Sequence, residues 1–335
     1  MTGALVVTTI SPPNVVLRAL AKGAGDAGMP FIAIGDAKSP GDFALEGCDY
    51  HSLERQRTLD FATAVLAPTG HYARKNIGYL VAMAGGADHI VETDDDNFPL
   101  AAFFEPLPEH CETGVLAGTG WTNIYGAFGR SDVWPRGFPL DALAGSQPVW
   151  PKDSCTVHAP IQQALAQDNP DVDAIYRLTR ALPVAFDEGE RRIALGKGSW
   201  CPFNSQATVH HRPAFPLLYL PAHCSFRMTD IWRSFVAQRI AWENGWHVLF
   251  REPTVRQERN EHDLMRDFAD EIPGYLANRA IATMLEQLPL EQGGAAIPTN
   301  LRRCYGALIE AGHVGEAEMP LLDAWLDDCA GLSQG

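Results

Sequence analysis

Along the first hundred residues the apolar positions change period several times, and each change predicts an element. β-Branched and apolar residues fill positions 4–10 and stop at Ser11-Pro12-Pro13, a strand followed by a turn. Positions 15–27 carry Ala and Leu at helical spacing and break at Gly28, and 31–34 form a second apolar strand closed by Gly35-Asp36. Apolar residues at i, i+3 and i+4 over 72–83 predict a helix that stops at Gly85-Gly86 and delivers the chain into a third strand. Strands and helices alternating at these lengths predict an α/β fold with a largely parallel, doubly wound sheet.

From about position 105 the pattern loses its regularity, with short strands such as 114–117 and many Gly, Pro and Trp residues. A helix over 231–241 and a strand at 248–250 lead to Pro273. Beyond it, helices are predicted over 276–288, 301–311 and 319–326, with a Gly-Gly linker at 293–294. The expected division is therefore a binding and catalytic domain, 1–275, and a C-terminal helical extension, 276–335.

The third strand carries the densest chemistry. Ile90 and Val91 suit a buried strand, and Asp94, Asp95 and Asp96 cannot continue it, so they stand at its carboxyl end. In an open α/β sheet that end faces the ligand crevice. Three crowded carboxylates repel one another unless a cation neutralises them, and hard oxygen donors select Mg²⁺ or Mn²⁺, ions that bridge to phosphates. The alternative is an Asp-rich turn. Arg74 and Lys75 open the preceding helix, where free N–H groups favour anions; they are candidates for phosphate contact, against a solvated first turn.

Composition narrows the rest. Hydrophobic residues at 46% allow a sizeable core, and a formal charge of -15 argues against a nucleic-acid surface. Seven scattered cysteines without a CxxC pair, no apolar run long enough to span a bilayer and no basic leader point to a reduced, cytoplasmic chain, at most peripheral to the inner face of a membrane. The 11 histidines show no HxH or HxxxH zinc spacing, only the tandem His210-His211.

Five blocks then carry a resemblance: Ala73-Arg-Lys-Asn-Ile-Gly-Tyr79, Glu92-Thr-Asp-Asp-Asp-Asn97, Trp134-Pro-Arg-Gly-Phe-Pro139, Asp171-Val-Asp-Ala-Ile175 and Phe226-Arg-Met-Thr-Asp-Ile-Trp232. In this order, over residues 4–275, they resemble the STELLO-type glycosyltransferase-like family and, more distantly, the reversibly glycosylated polypeptides that act as UDP-arabinopyranose mutases. The resemblance implies a GT-A (Rossmann-like) fold in which a DxD motif, here Asp94 and Asp96, holds Mn²⁺ or Mg²⁺ on the diphosphate of a nucleotide-sugar. Asp95 would orient the loop or a water. It places Thr8, Thr9 and Ser11 in the nucleotide pocket, with Asp36 on the base or ribose (or as an Asx-turn residue) and Lys38 offsetting phosphate charge.

Asp230 is the expected general base for the acceptor hydroxyl, with helix N-cap as its alternative role. Arg136 corresponds to the arginine glycosylated in the mutases; the alternative is a clamp on phosphate or carboxylate, since a guanidinium is a poor nucleophile. Asp173 is a candidate for a sugar hydroxyl and Asp171 for a structural role. Trp232 is expected in the core or at an acceptor wall. Gln257 stands near a position where the mutases carry a histidine, and His262 is the other candidate to complete the metal site. The activity implied is transfer from a nucleotide-sugar, expected to be UDP-linked, to a glycan or other hydroxyl acceptor in surface glycan synthesis. The alternatives are a pyranose/furanose mutase and a non-catalytic assembly subunit; a homo-oligomer is compatible with either.

Overall fold

The computed structural model of the chain describes residues 2–187, 189–258 and 263–332. Its strands are β1 (Gly3–Thr8), β2 (Phe31–Ile34), β3 (Asp49–His51), β4 (His89–Thr93), β5 (Asn97–Pro99), β6 (His110–Leu116), β7 (Gly120–Trp121), β8 (Cys155–His158), β9 (Ile161–Gln167), β10 (Arg192–Leu195), β11 (Ser199–Trp200), β12 (Ala207–His211) and β13 (Val248–Gln257). The α-helices are α1 (Val15–Asp26), α2 (Leu53–Gln56), α3 (Ala62–Leu66), α4 (Lys75–Ala84), α5 (Ala174–Thr179), α6 (Thr229–Glu243), α7 (Leu264–Gln287), α8 (Ile297–Glu310) and α9 (Glu318–Leu332).

Eleven strands form one sheet in the order β3-β2-β1-β4-β12-β9-β13-β10-β6-β8, with β5 added on β13. β3, β2, β1, β4, β9, β13 and β8 run one way; β12, β10, β6 and β5 run against them. The mostly parallel α/β sheet expected from the pattern is therefore present. Its regular half, β3 to β4, is wholly parallel because each crossover carries a helix or a long loop. β4 is paired on both edges, which buries its backbone and leaves only its carboxyl end to solvent.

Helices cover both faces. α1 packs Val16, Leu17, Leu20 and Ala24 against Leu5, Val7, Phe31 and Ala33 on one side. On the other, α4 and α6 join a larger core with Val6, Ile34 and Ile90. Gly78 lets α4 seat there: a Cβ at this position would lie 2.6 Å from Val6 Cγ1 and 2.9 Å from Ile34 Cγ1. Trp232 is buried and donates from Nε1 to Asn278 Oδ1 at 2.9 Å, so it belongs to the core and not to an acceptor wall.

The expected boundary at 275/276 falls inside α7, which runs unbroken through Pro273 for 24 residues. Ala277, Ile281 and Leu285 of α7, Leu301 and Leu308 of α8 and Leu322 and Trp325 of α9 all enter the larger core. Far from forming a separate extension, the terminal helices complete one side of the sheet. α9 is also tied to α3, where the Asp328 carboxylate accepts from Ala62 N at 3.1 Å and Thr63 N at 2.8 Å. Among the described residues no helix is long and apolar enough to cross a membrane.

Candidate functional site

A cavity of about 1020 Å³ opens over the carboxyl ends of β1, β2 and β4. Thr8, Thr9, Ser11, Asp36, Lys38, Asp94, Asp95, Asp96, Arg136, Asp230 and Gln257 all face it. With Arg74 and Asp171 also lining it, residues from all five sequence blocks are brought together from separate elements.

The three aspartates occupy the turn between β4 and β5 and divide their work. Asp95 turns back to the first strand: its Oδ2 accepts from the Thr9 hydroxyl at 2.5 Å and its carbonyl from Asn14 Nδ2 at 2.9 Å. This is the loop-orienting role expected of it. Asp94 and Asp96 line the cavity. Lys75 Nζ donates to Asp94 Oδ1 at 2.8 Å, and Gln257 Nε2 lies 3.2–3.3 Å from the Asp96 carboxylate. Burial pushes the Asp94 carboxyl up, Lys75 pulls it down and the charge of Asp96 pushes it up again, leaving it at about 6. Two carboxylates that feel one another's charge at the mouth of a polar cavity are a donor set that fits a hard divalent cation. Gln257 stands beside Asp96, as expected from its position; His262 lies outside the described residues.

The basic pair at the start of α4 behaves differently from expectation. Lys75 is fully buried and holds Thr93 O at 2.9 Å as well as Asp94, so it underpins the aspartate turn rather than meeting a phosphate. Arg74 is also buried: Nε and Nη2 donate to Gln56 Oε1 at 2.9 and 2.5 Å, and Nη1 to Ala67 O at 2.7 Å. A short 3₁₀ turn, Tyr72–Arg74, precedes α4 and directs both side chains inward. Neither phosphate contact nor a solvated first turn describes them.

Asp36 serves the turn reading. Its Oδ1 accepts from Ala37 N at 2.7 Å and Gly70 N at 2.9 Å, and its Oδ2 from His71 N at 2.9 Å, fastening the 70–71 loop to the end of β2. Lys38 is exposed on the same rim and makes no ion pair among the described residues.

The opposite wall is an ion cluster around Arg136. Its Nε and Nη2 take Asp171 in a bidentate pair, both at 2.8 Å, and Nη2 reaches Asp230 Oδ2 at 2.9 Å and Oδ1 at 3.1 Å. Nη1 donates to the Arg227 carbonyl. Gly137 makes this approach possible: its φ of +86° strains any L side chain, and a Cβ there would sit 2.4 Å from Ile231 Cγ2 of α6. With every nitrogen engaged inside the chain, Arg136 is neither a free nucleophile nor a ligand clamp; it orients Asp230. Burial raises the Asp171 carboxyl, and the Arg136 guanidinium more than reverses this, leaving it at about 2.

Asp230 lies one residue inside α6, whose cap residue, Met228, makes no side-chain cap bond. Its carboxylate accepts from Arg136, from the Tyr72 hydroxyl at 3.2 Å and from Ser205 N at 3.4 Å, so it points to the cavity wall and not to the helix end. The acid-x-acid pair is reversed from expectation. Asp173 is buried, caps α5 through Tyr176 N at 2.7 Å and accepts from Trp134 Nε1 at 2.7 Å. Burial lifts its carboxyl to about 6. It holds structure, while Asp171 faces the cavity.

Several wall residues went unassigned in the sequence. Tyr72, His71 and Phe226 form an aromatic rim, with Phe226 edge-on to both neighbours at centroid distances of 4.9 and 5.1 Å. Arg227 pairs with Glu271 at 2.9 Å, and Asp263, Arg266, Asp267 and Asp270 close the cavity from the start of α7. Phe226 and Arg227 sit in a block noted in the sequence, beside Asp230. The α7 residues have no local signal, since only the return of a distant helix brings them here.

Below the cavity lies a second, sealed cluster. Arg233 of α6 donates from Nη1 to Glu92 Oε2 of β4 at 3.0 Å and pairs through Nη2 with Oε1 at 2.7 Å, and the Tyr79 hydroxyl donates to the same carboxylate. Arg233 Nη2 also donates to the Asn204 carbonyl at 3.0 Å, and Asn204 Nδ2 donates to Asp171 at 2.9 Å, so one asparagine joins the two clusters.

The family model described as STELLO glycosyltransferases matches residues 227–333, from the Arg227 wall through the last helix. Two Arabidopsis thaliana proteins, the probable glycosyltransferases STELLO1 and STELLO2, are each 30% identical to the chain, over 274 and 354 aligned positions, or 76% and 97% of it. The chain resembles the STELLO-type glycosyltransferases over most of its length. The likeness reaches through the terminal helices, beyond the 4–275 span of the five blocks. The chain covers 35% and 44% of these relatives, less than half the length of either. Among solved structures, one titled as a crystal structure of a mycobacterial protein aligns with 83% of this chain and 74% of its own at a TM-score of 0.41 and 11% identity. A likeness that weak carries nothing for fold or function.

Proposed function

We propose that this chain is a metal-dependent glycosyltransferase. It takes a nucleotide-sugar, with a UDP-sugar as the first candidate, and passes the sugar to a glycan or other hydroxyl acceptor in surface glycan synthesis. The observation that carries this reading is the division of labour among the aspartates: Asp95 anchored to Thr9, Asp94 and Asp96 lining a cavity of about 1020 Å³. Asp94 and Asp96 would hold Mn²⁺ or Mg²⁺, which neutralises charge on a diphosphate leaving group. Thr8 and Thr9 line the cavity where the nucleotide would lie, and Lys38, also in its lining, would offset phosphate charge.

Asp230 is the carboxylate we assign to the acceptor. Arg136 and Tyr72 hold it at the wall, where it receives the acceptor proton as the sugar–diphosphate bond breaks. No feature favours the mutase reading, because the guanidinium that would carry the sugar is fully engaged. Titration calorimetry of UDP tests the proposal: affinity rises with Mn²⁺ over chelator, and Asp94→Ala or Asp96→Ala removes the difference. Equal affinity in chelator and Mn²⁺ would sink it.

A further inference from the structure

Three ligand-type side chains meet away from the cavity, near the amino ends of β9 and β13. His110 opens β6 and His158 closes β8, and the antiparallel register sets them directly opposite one another. Glu109 immediately precedes β6. Its Oε1 lies 3.8 Å from His110 Nδ1 and its Oε2 3.6 Å from His158 Nε2, and the three ligand atoms all fall within 4.8 Å of one another. Cavity and cluster are separated by the length of the central strands. His158 is three residues before Ile161, which pairs with Val248 at the start of β13, whereas Gln257 of the cavity ends that strand.

Several features distinguish this group from a chance surface cluster. Donor atoms on a tetrahedral Zn²⁺ with bonds of about 2.0–2.1 Å stand roughly 3.3 Å apart, so the observed separations, all within 4.8 Å, must contract, which the partly exposed Glu109 and His110 side chains allow. His158 Nε2 is buried and has no hydrogen-bond partner. Glu109 has no lysine or arginine within ion-pair distance among the described residues, and one of its oxygens lies nearest each histidine. The imidazoles stack at 4.3 Å with planes 12° apart, so one ring, the exposed His110, must turn for a single ion to lie in the plane of both. Two imidazoles and one carboxylate form a set that suits zinc or a similar first-row ion and leaves a fourth position for water.

We propose that Glu109, His110 and His158 form a metal site of their own, selective for nitrogen-preferring divalent ions such as Zn²⁺, that staples the paired strands β6 and β8 at the sheet edge. The ion crosses the two strands at their facing residues, so binding stabilises their pairing. Cobalt titration tests this on the full chain: one equivalent of Co²⁺ gives visible d–d absorption, and Zn²⁺ displaces it and raises Tm. His110→Ala and His158→Gln abolish both responses, while Asp94→Asn leaves them intact. His110 is mostly exposed, so its alanine variant folds and settles the matter even where His158→Gln does not. No absorption at one equivalent in the unaltered protein, or absorption that survives His110→Ala, overturns the proposal.

Discussion

Arg136 and Arg233 are both buried and paired with carboxylates, and both link α6 to other parts of the fold, yet the two clusters are placed differently. Arg233 and Glu92 are sealed in the core, with side chains 1% and 0% exposed. No water reaches them, so each charge depends on the other for solvation. Arg136 stands at the cavity wall, and Asp171 and Asp230, with side chains 14% and 5% exposed, look into it. The sealed cluster fixes α6 against β4 beneath the aspartate turn. The open one presents a carboxylate to whatever enters. The same pair of chemical groups is thus closed off in one setting and turned toward a cavity in the other.

The largest expected effect falls on the open cluster. Asp230→Asn keeps a group that can accept from Tyr72 and Arg136, so UDP binding and the unfolding midpoint change little. Sugar transfer drops about 10²–10⁴-fold, read by steady-state assay with the donor that the nucleotide screen identifies. Next, Arg233→Met strands Glu92 in the core and lowers unfolding free energy by about 3–5 kcal/mol in a denaturant titration, with UDP affinity retained by the folded fraction. A loss of affinity without a loss of stability would reverse the roles assigned to the two clusters.

Arg136→Lys preserves charge but removes the fork to Asp171, at a cost of about 1.5–3 kcal/mol in the same titration. Water can enter at the cavity wall, which is why this loss is smaller than for Arg233. Acid provides a further separation. With the Asp94 carboxyl at about 6, the Mn²⁺-dependent gain in UDP affinity falls about tenfold from pH 7.5 to 5, as protons compete for the site. The fold responds in the opposite sense. A carboxyl raised above its ordinary 3.8, as in Asp94 and Asp173, favours the folded state at low pH and withdraws that support as pH rises through 6. Asp171, held at about 2, contributes stability that is full above about 4 and is lost as pH falls toward 2. The smallest effect tests the bridge between clusters. Asn204→Ala with Asp171→Asn in a double-mutant cycle gives a coupling of about 0.5–1.5 kcal/mol, and additive losses would mean the clusters act independently.

Much of this was legible in the order of residues. β4 and its aspartates are readable because a buried run that stops at three charges has one physical outcome, a strand end at a crevice. α1, β2 and α6 are readable for similar reasons, since periodicity and breakers coincide. Arg74 and Lys75 are not, because helix-start electrostatics describes an exposed turn and these side chains fold inward onto carbonyls and Gln56. The exchange of roles between Asp171 and Asp173 has the same origin: which of two carboxylates two residues apart faces the cavity depends on where Arg136 arrives, 35 positions upstream. Pro273 misled for a different reason. Proline usually ends a helix, but packing of α7 on α6 outweighs the missing hydrogen bond. The Glu109–His110–His158 group escaped because its spacing exists across strands and not along the chain.

α7 can be read as a ruler. At Glu271 it grips Arg227 and the backbone of Ala174; seven residues on, Asn278 receives Trp232 Nε1 and donates to the Gly137 carbonyl at 2.7 Å. Those four contacts lie beside Asp230, Asp173 and Arg136, so a single helix sets the relative heights of segments that are far apart in sequence. Two turns separate the graduations, and both gripping residues are buried. Inserting one residue between them would turn Asn278 by about 100° and advance it by about 1.5 Å. The cavity wall would then lose its spacing although none of its own residues had been touched.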